Sequence, residues 1–404
     1  MRLLASACMV LLALLAWWAW HVMPIQTDGH AARATTDAHV RARSAADGAS
    51  GATRPDANIR PVAQAMPAGS GNEATATARC LAERDRQLAI IHEGLDPDRS
   101  PAAAFDRALL ADVLALPTGA GDSHRRNARA VQARWQAARR RWPRDLDLAW
   151  FAARNCSKSL GCDSDGALQH LLEVDPGNAA AWVMAMEAAL EDGDAGAYDR
   201  ALQRAAAART YDTRSGVAYL RLQPLLSLVR RPAECLGTSS LGEAEKLLGR
   251  PLKDDDLAAL EALALEYALG MPSYSAFSGC GGRAVARSPS RQPACIAVLS
   301  RLADGDTLIE QNIALPRLIE LTRDAPENAR LRERYRRMLW LWQFADAPLA
   351  PGSGIAQILA RGEIANLRDR AIAQHRWPPP ADWLPESGRA RALILAGESS
   401  AGHD

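Results

Sequence analysis

The sequence predicts an all-α fold, an array of helix pairs (an α-solenoid) behind an N-terminal transmembrane helix and a disordered linker. Three observations predict it. Trp142-Pro143-Arg144-Asp145 leads into Trp150, and Asp175-Pro176-Gly177-Asn178 leads into Trp182, with the prolines 33 residues apart and the tryptophans 32 apart. A period in the low thirties is the length of two short antiparallel helices with their turns. From Arg79 onward, apolar residues recur at spacings of three and four, and Gly or Pro interrupts them about every 12 to 20 residues. No period-two stretch of the kind that makes strands stands out.

Leu3 to Met23 carries no charged residue. At about 1.5 Å rise per residue, a helix of that length matches a ~30 Å hydrocarbon core. Trp17, Trp18 and Trp20 crowd its C-terminal end, where aromatic rings favour the lipid headgroup region. Arg2 with the α-amino group makes a short positive tail suited to the cytoplasm. Residues 1–24 therefore read as an uncleaved signal anchor of a bacterial inner membrane, with the C-terminal domain in the periplasm. The alternative is a cleaved signal peptide ending at Ala32-Arg33-Ala34, which leaves a soluble periplasmic or secreted protein. Residues 25–77 are rich in Ala, Thr, Gly, Ser, Asp and Pro without an apolar stripe, the composition of a disordered tether. Such a tether spans roughly 40 Å root-mean-square.

Cysteine usage bears on the compartment. With Cys8 inside the apolar segment set aside, six of the seven cysteines remain, an even count that suits disulfides in an exported domain. Cys156 and Cys162 bracket a turn between two helical segments, so a bridge there staples a helix hairpin. Cys280 and Cys295 bracket a Gly- and Pro-containing loop, and bridging it is worth about 3 kcal/mol on the chain-entropy model. Cys80 pairs with Cys235 by elimination. The competing reading is six unpaired core thiols in a reducing compartment.

The helical domain is expected over residues 78–395, with a candidate sub-boundary near 232–252 and a disordered tail at 396–404. Ser240 with Glu243 fits a capping box that opens a helix ending near Gly249. Asp254-Asp255-Asp256 opens another. Its predicted stripe is Leu257, Leu260, Leu263, Ala264 and Tyr267, and Gly270 closes it. Trp340 and Trp342 lie two apart on one helix and cannot share a face. Trp377-Pro378-Pro379-Pro380 with Trp383 predicts a rigid segment that caps the array or bridges to a last helix.

Residues 142–208 carry a family resemblance. Glu173-Val174-Asp175-Pro176-Gly177-Asn178 resembles the turn that closes one tetratricopeptide repeat and opens the next. Trp182 sits where such a helix places an early aromatic, and Gly193-Asp194 followed by Tyr198-Asp199-Arg200-Ala201 resembles the turn to the second helix. Ala185-Met186 departs from the usual Leu-Gly pair, and Ala195-Gly196-Ala197 is similar to a small insertion. Asp324-Ala325-Pro326-Glu327-Asn328 is a distant third echo. The resemblance implies stacked helix pairs with a concave groove for a peptide or protein partner. It transfers no catalytic residue.

The chemistry of sites is sparse. Formal net charge is +1, from 48 basic and 47 acidic residues, which excludes a generic polyanion binder and gives no expectation of nucleic acid. His92-Glu93 lacks the second histidine a zinc helix needs. Cys280-Gly281-Gly282 near Ser278 lacks a nucleophile elbow. No catalytic residue, metal ligand or cofactor is therefore expected. Arginine is concentrated between Arg125 and Arg144, interleaved with Trp135 and Trp142. Trp135, Arg139, Arg140 and Arg141, with Trp182, are the partner-binding candidates, against the plainer reading of a solvated helix face. The expectation is a membrane-tethered envelope protein whose exported domain binds or scaffolds protein partners. The alternatives are an exported enzyme of unrecognised type and a structural subunit of an envelope complex.

Overall fold

In the computed structural model, the described residues are 71–115, 122–156, 158, 161–230, 245, 248–270, 274–345 and 361–396. The predicted anchor, most of the predicted tether, the Ser240–Glu243 capping box and Cys235 lie outside them. Among the described residues every regular element is a helix, with one isolated bridge between Asn178 and Thr210. None of these helices is long and apolar enough to cross a membrane.

The first half comprises α1 (Gly71–Gly94), α2 (Pro101–Ala115), α3 (Asp122–Arg141), α4 (Leu146–Arg154), α5 (Ser164–Val174), α6 (Ala179–Glu191) and α7 (Ala195–Ala207). The sequence places the tether's end at Thr77, but α1 already begins at Gly71. The alternating alanines Ala74, Ala76 and Ala78 favour helix without needing an apolar face. Side-chain caps start the later helices. Asp145, Asp163, Asn178 and Asp194 accept from backbone N–H groups at 2.9, 2.9, 3.0 and 2.8 Å, at the first turns of α4, α5, α6 and α7. Asp145 and Asn178, in equivalent places in the sequence echo, thus perform the same task. From α2 to α7, each helix packs on the next.

The chain then leaves this order. Helices α8 (Val217–Leu226) and α9 (Asp254–Gly270) pack on one another, and α8 also lies on α2. Arg221 of α8 forks onto Asp106 of α2 at 2.7 and 2.9 Å, and Arg154 of α4 donates to the Leu269 carbonyl at 3.1 Å. Arg84 of α1 pairs with Glu261 of α9. Two 3₁₀ turns, Ser275–Cys280 and Pro289–Arg291, flank α10 (Gly282–Arg287). Helix α11 (Gln292–Ala303) then packs on α7, and the order resumes through α12 (Leu308–Leu321) and α13 (Asn328–Trp342). The third echo ends at Asn328, the first residue of α13, so all three echoes open a helix. Helices α14 (Glu363–Ala373) and α15 (Gly388–Ala396) close the described chain against α13.

Two apolar cores result. One gathers Phe105, Trp135, Trp150, Phe151, Tyr219 and Leu222, and it includes α9. The other runs from α6 to α15 around Tyr198, Phe277, Leu315 and Trp340. Helix α6 contributes to both, and Cys80–Asp404 forms one compact unit.

The predicted stripe of α9 needs correction. Its buried face is Ala258, Ala262, Leu265 and Leu269 with Glu261 and Glu266, whereas Leu257, Leu260, Leu263 and Ala264 are half-buried and Tyr267 is 42 % exposed. The reason is electrostatic as well as apolar. Glu266 accepts from the N–H groups of Gly216 and Tyr219 at 2.9 and 2.8 Å, capping α8 from another helix. Glu261 faces Arg84.

At the C-terminal end, Trp340 is buried and Trp342 half-buried, as their spacing requires. The prolyl segment, with its Trp377–Pro378 bond cis, packs on α13. Trp383 meets Trp340 edge-on at 5.0 Å, and Arg336 donates to the Pro380 carbonyl at 2.7 Å.

Candidate functional site

Two predicted cysteine pairs are joined. Cys156–Cys162 and Cys280–Cys295 are disulfides with Cα atoms 5.4 Å apart in each. The first closes the turn between α4 and α5. The second ties a 3₁₀ turn beside Ser278 to α11, so Cys280 is not a free thiol. Cys80 is also disulfide-bonded, and Cys235 lies outside the described residues, as do Trp17, Trp18 and Trp20.

The arginine-rich helix α3 is sorted by its rotation. Trp135 is fully buried, packed between Phe105 at 5.2 Å and Phe151 at 5.6 Å, so it presents no surface to a partner. Its indole N–H donates to Asp112 of α2 at 2.6 Å. Burial pushes the Asp112 carboxyl up to about 7, and the Trp135 bond offsets part of that rise. Arg139 turns towards α5, donating to Gln136 at 3.1 Å and the Gly166 carbonyl at 3.4 Å. Arg140 is exposed. Trp182 is half-buried and donates to the Pro176 carbonyl at 2.9 Å, which secures its own turn.

Arg141 goes elsewhere. Its guanidinium lies 5.5 Å from the Trp142 ring centre and its Nε meets Asp98 at 3.1 Å. Arg141 thus stacks on Trp142, whose indole N–H donates to the Pro97 carbonyl at 3.1 Å.

Between α2 and α3 lies a cavity of about 330 Å³. It is lined by Arg107, Arg134 and Arg141, by Pro97 and Asp98, and by Ala104, Ala108, Ala137 and Ala138. The small side chains leave the room, and the arginine side chains border it. Arg107 donates to the Leu95 carbonyl at 3.0 Å. Arg134 has no hydrogen-bond or ion-pair partner among the described residues. His92 lies within electrostatic reach of two of these arginines. Its imidazole pKa is lowered first by burial and then by Arg134 and Arg107, with Glu93 opposing, and its buried Nε2 has no hydrogen-bond partner. Three arginines and one aspartate border this mostly apolar cavity, and one of the arginines already pairs with the aspartate. Among the described residues, no group of His, Cys, Asp and Glu could hold a metal ion.

Of the sequence candidates, only Arg141 lines this cavity. Arg134 belongs to the arginine-rich stretch without being among the candidates, and Arg107 and Asp98 stand outside that stretch. A signal for part of it exists, since Arg134, Ala137, Ala138 and Arg141 stand at i, i+3, i+4 and i+7, one helical stripe with small residues between two arginines. Asp98 and Arg107 come from α2 and the turn before it, and only tertiary packing brings them in. Helices α8 and α9 share a core with α2, α4 and α6. No protein-family model, curated protein or solved structure matches the chain.

Proposed function

We propose that this protein is a membrane-tethered envelope protein whose exported domain, a tetratricopeptide-like helical array, binds a protein or peptide partner without catalysis. The observation that carries the reading is the α2–α3 cavity, lined by Arg107, Arg134 and Arg141 with Asp98, which pairs with Arg141. A pocket of about 330 Å³ lies at the small end of the range for ligand sites, the size of one or two side chains. The succession of packed helices from α2 to α7 and onward through α11 to α13 supports the array. The Cys156–Cys162 and Cys280–Cys295 bridges support an oxidising compartment. The apolar segment Leu3 to Met23 supports the anchor.

The test is crosslinking in intact cells followed by capture through a C-terminal tag, on the full chain and on a version lacking Met1 to Thr77 that a neutral signal sends to the same compartment. Reproducible partners on both versions are expected. Partners lost with the tether make anchoring itself the determinant, and no partner on either version moves the weight to an enzyme.

A further inference from the structure

We propose that the α2–α3 cavity receives a carboxylate-bearing side chain of an acidic peptide segment, and that Asp98 is an intramolecular stand-in which the ligand displaces from Arg141. The inference deepens the reading above and rests on it, since it names the chemistry of the partner. Asp98 and Arg141, which both line the cavity, already form one carboxylate–guanidinium pair. Asp98 Oδ1 meets Arg141 Nε at 3.1 Å, and both side chains are largely exposed, 72 % and 60 %. An ion pair so exposed holds its partners weakly and exchanges readily. The Asp98 backbone lies in the α1–α2 turn, where its own N–H is taken by Asp96 at 3.0 Å, so the carboxylate can leave without the turn unfolding.

The other two guanidiniums set the preference. Arg134 is unpartnered among the described residues, and Arg107 gives only Nη1 to a backbone carbonyl. Planar carboxylate matches the guanidinium fork, with two parallel N–H···O bonds. The alanine lining admits the methylenes of a glutamate or the methyl of a neighbouring alanine. A polynucleotide is disfavoured. The near-neutral chain supplies no net positive field, and Trp142 already has its ring against Arg141 and its N–H on Pro97.

The experiment uses the full chain purified in detergent and fluorescence anisotropy of fluorescein-labelled Ala-Glu-Ala-Glu-Ala, against the same peptide with glutamine for glutamate. The glutamate peptide is expected to bind and the glutamine peptide to bind at least tenfold more weakly. Arg107→Gln and Arg134→Gln should each weaken binding about tenfold. Arg330→Gln, an exposed arginine on α13, should leave it unchanged. Asp98→Asn should tighten binding about threefold, the effect of releasing an exposed ion pair. Arg134 is exposed and makes no hydrogen bond or ion pair among the described residues, so its variant should keep the wild-type circular dichroism and melting temperature, and a loss of binding there is then not a loss of structure. Equal binding of the two peptides overturns the proposal, as does Asp98→Asn without tightening. Inorganic phosphate competing better than glutarate overturns the carboxylate assignment. The two readings fail separately. Partners captured in cells that do not depend on Arg107 and Arg134 leave the binding module standing and remove the cavity's role. Peptide binding with no partner in cells does the reverse.

Discussion

The indole N–H of Trp135 donates to the Asp112 carboxyl at 2.6 Å, joining α3 to α2 beneath the same pair of helices that forms the arginine cavity. Burial holds that carboxyl at about 7 in the folded chain against 3.8 for the free group. Between these values the folded state binds more protons than the unfolded one. The contribution to stability is therefore greatest below about pH 3.8 and is lost as pH rises towards 7. Asp112→Asn, which keeps an acceptor for Trp135, should flatten the fall in stability from pH 4 to pH 8. It should leave the variant more stable than wild type at pH 8, by up to about 4 kcal/mol for a shift from 3.8 to about 7. Urea unfolding at several pH values reads this directly. Parallel curves for the two proteins would show that Asp112 does not carry the dependence.

Asn178 is fully buried and fully satisfied. It accepts from Ala180 N and Asp212 N at 3.0 and 2.9 Å, and donates to Asp175 Oδ2 and the Asp212 carbonyl at 3.0 and 2.8 Å. It thereby starts α6 and binds the chain leaving α7 to the turn before α6. Asn178→Ala should cost about 3 kcal/mol or more, from a lost cap and unpaired buried groups. Asn178→Asp keeps both acceptor roles, removes both donor roles and places a charge beside Asp175, so it should be at least as destabilising. Chemical denaturation of the two variants gives the order. A neutral Asn178→Asp would contradict the assigned donor roles.

Tyr198 and Gly279 meet where α7 lies against the Ser275–Cys280 turn. The Tyr198 hydroxyl donates to the Ala276 carbonyl at 2.9 Å, and a Cβ at position 279 would stand 2.3 Å from the hydroxyl oxygen and 2.6 Å from Cζ. Burial pushes the hydroxyl's pKa up to about 12. Gly279→Ala should cost about 2–3 kcal/mol through overpacking and a disturbed hydrogen bond. Tyr198→Phe alone should cost about 1 kcal/mol, and the double variant Tyr198→Phe/Gly279→Ala should recover part of the loss. Strict additivity would place the strain elsewhere.

The echo and the capping residues were legible in the sequence because they are local. Asp145 and Asn178 open α4 and α6, and α9 runs from Asp254 to Gly270 as its acidic start and glycine end require. Which face of a helix is buried was less legible. In α9, small alanines and two glutamates face inward because Arg84 and the open N-terminus of α8 await them, and apolarity alone gives no hint of either. The arginine cluster was visible, but a rotation of about 100° per residue sends neighbours to different environments, Trp135 inward, Arg139 towards α5 and Arg134 with Arg141 to the cavity. Sequence proximity could not supply Arg107 and Asp98, which arrive from the facing helix and its turn.

The two disulfides differ in loop length and burial. Cys280 and Cys295 are both fully buried and 15 residues apart, whereas Cys156 is half-buried and 6 residues from Cys162. Replacing the longer pair by alanine should cost about 3 kcal/mol and the shorter about 2 kcal/mol on the chain-entropy model. A reducing agent should open Cys156–Cys162 first, because its sulfurs are more accessible. Thiol labelling over time followed by peptide mass spectrometry gives the order. Earlier labelling of Cys280 and Cys295 would contradict it.

The central claim, a binding module that meets an acidic partner at the α2–α3 cavity, is tested most directly by a photo-crosslinker placed at Ala137 in intact cells. Ala137 is exposed and lines the cavity, so the probe reports on whatever enters it. The account predicts a discrete protein adduct that disappears in the Arg107→Gln/Arg134→Gln background, and no such adduct from the same probe at exposed Ile372 on α14. No adduct at Ala137, or one that survives loss of both arginines, would contradict it.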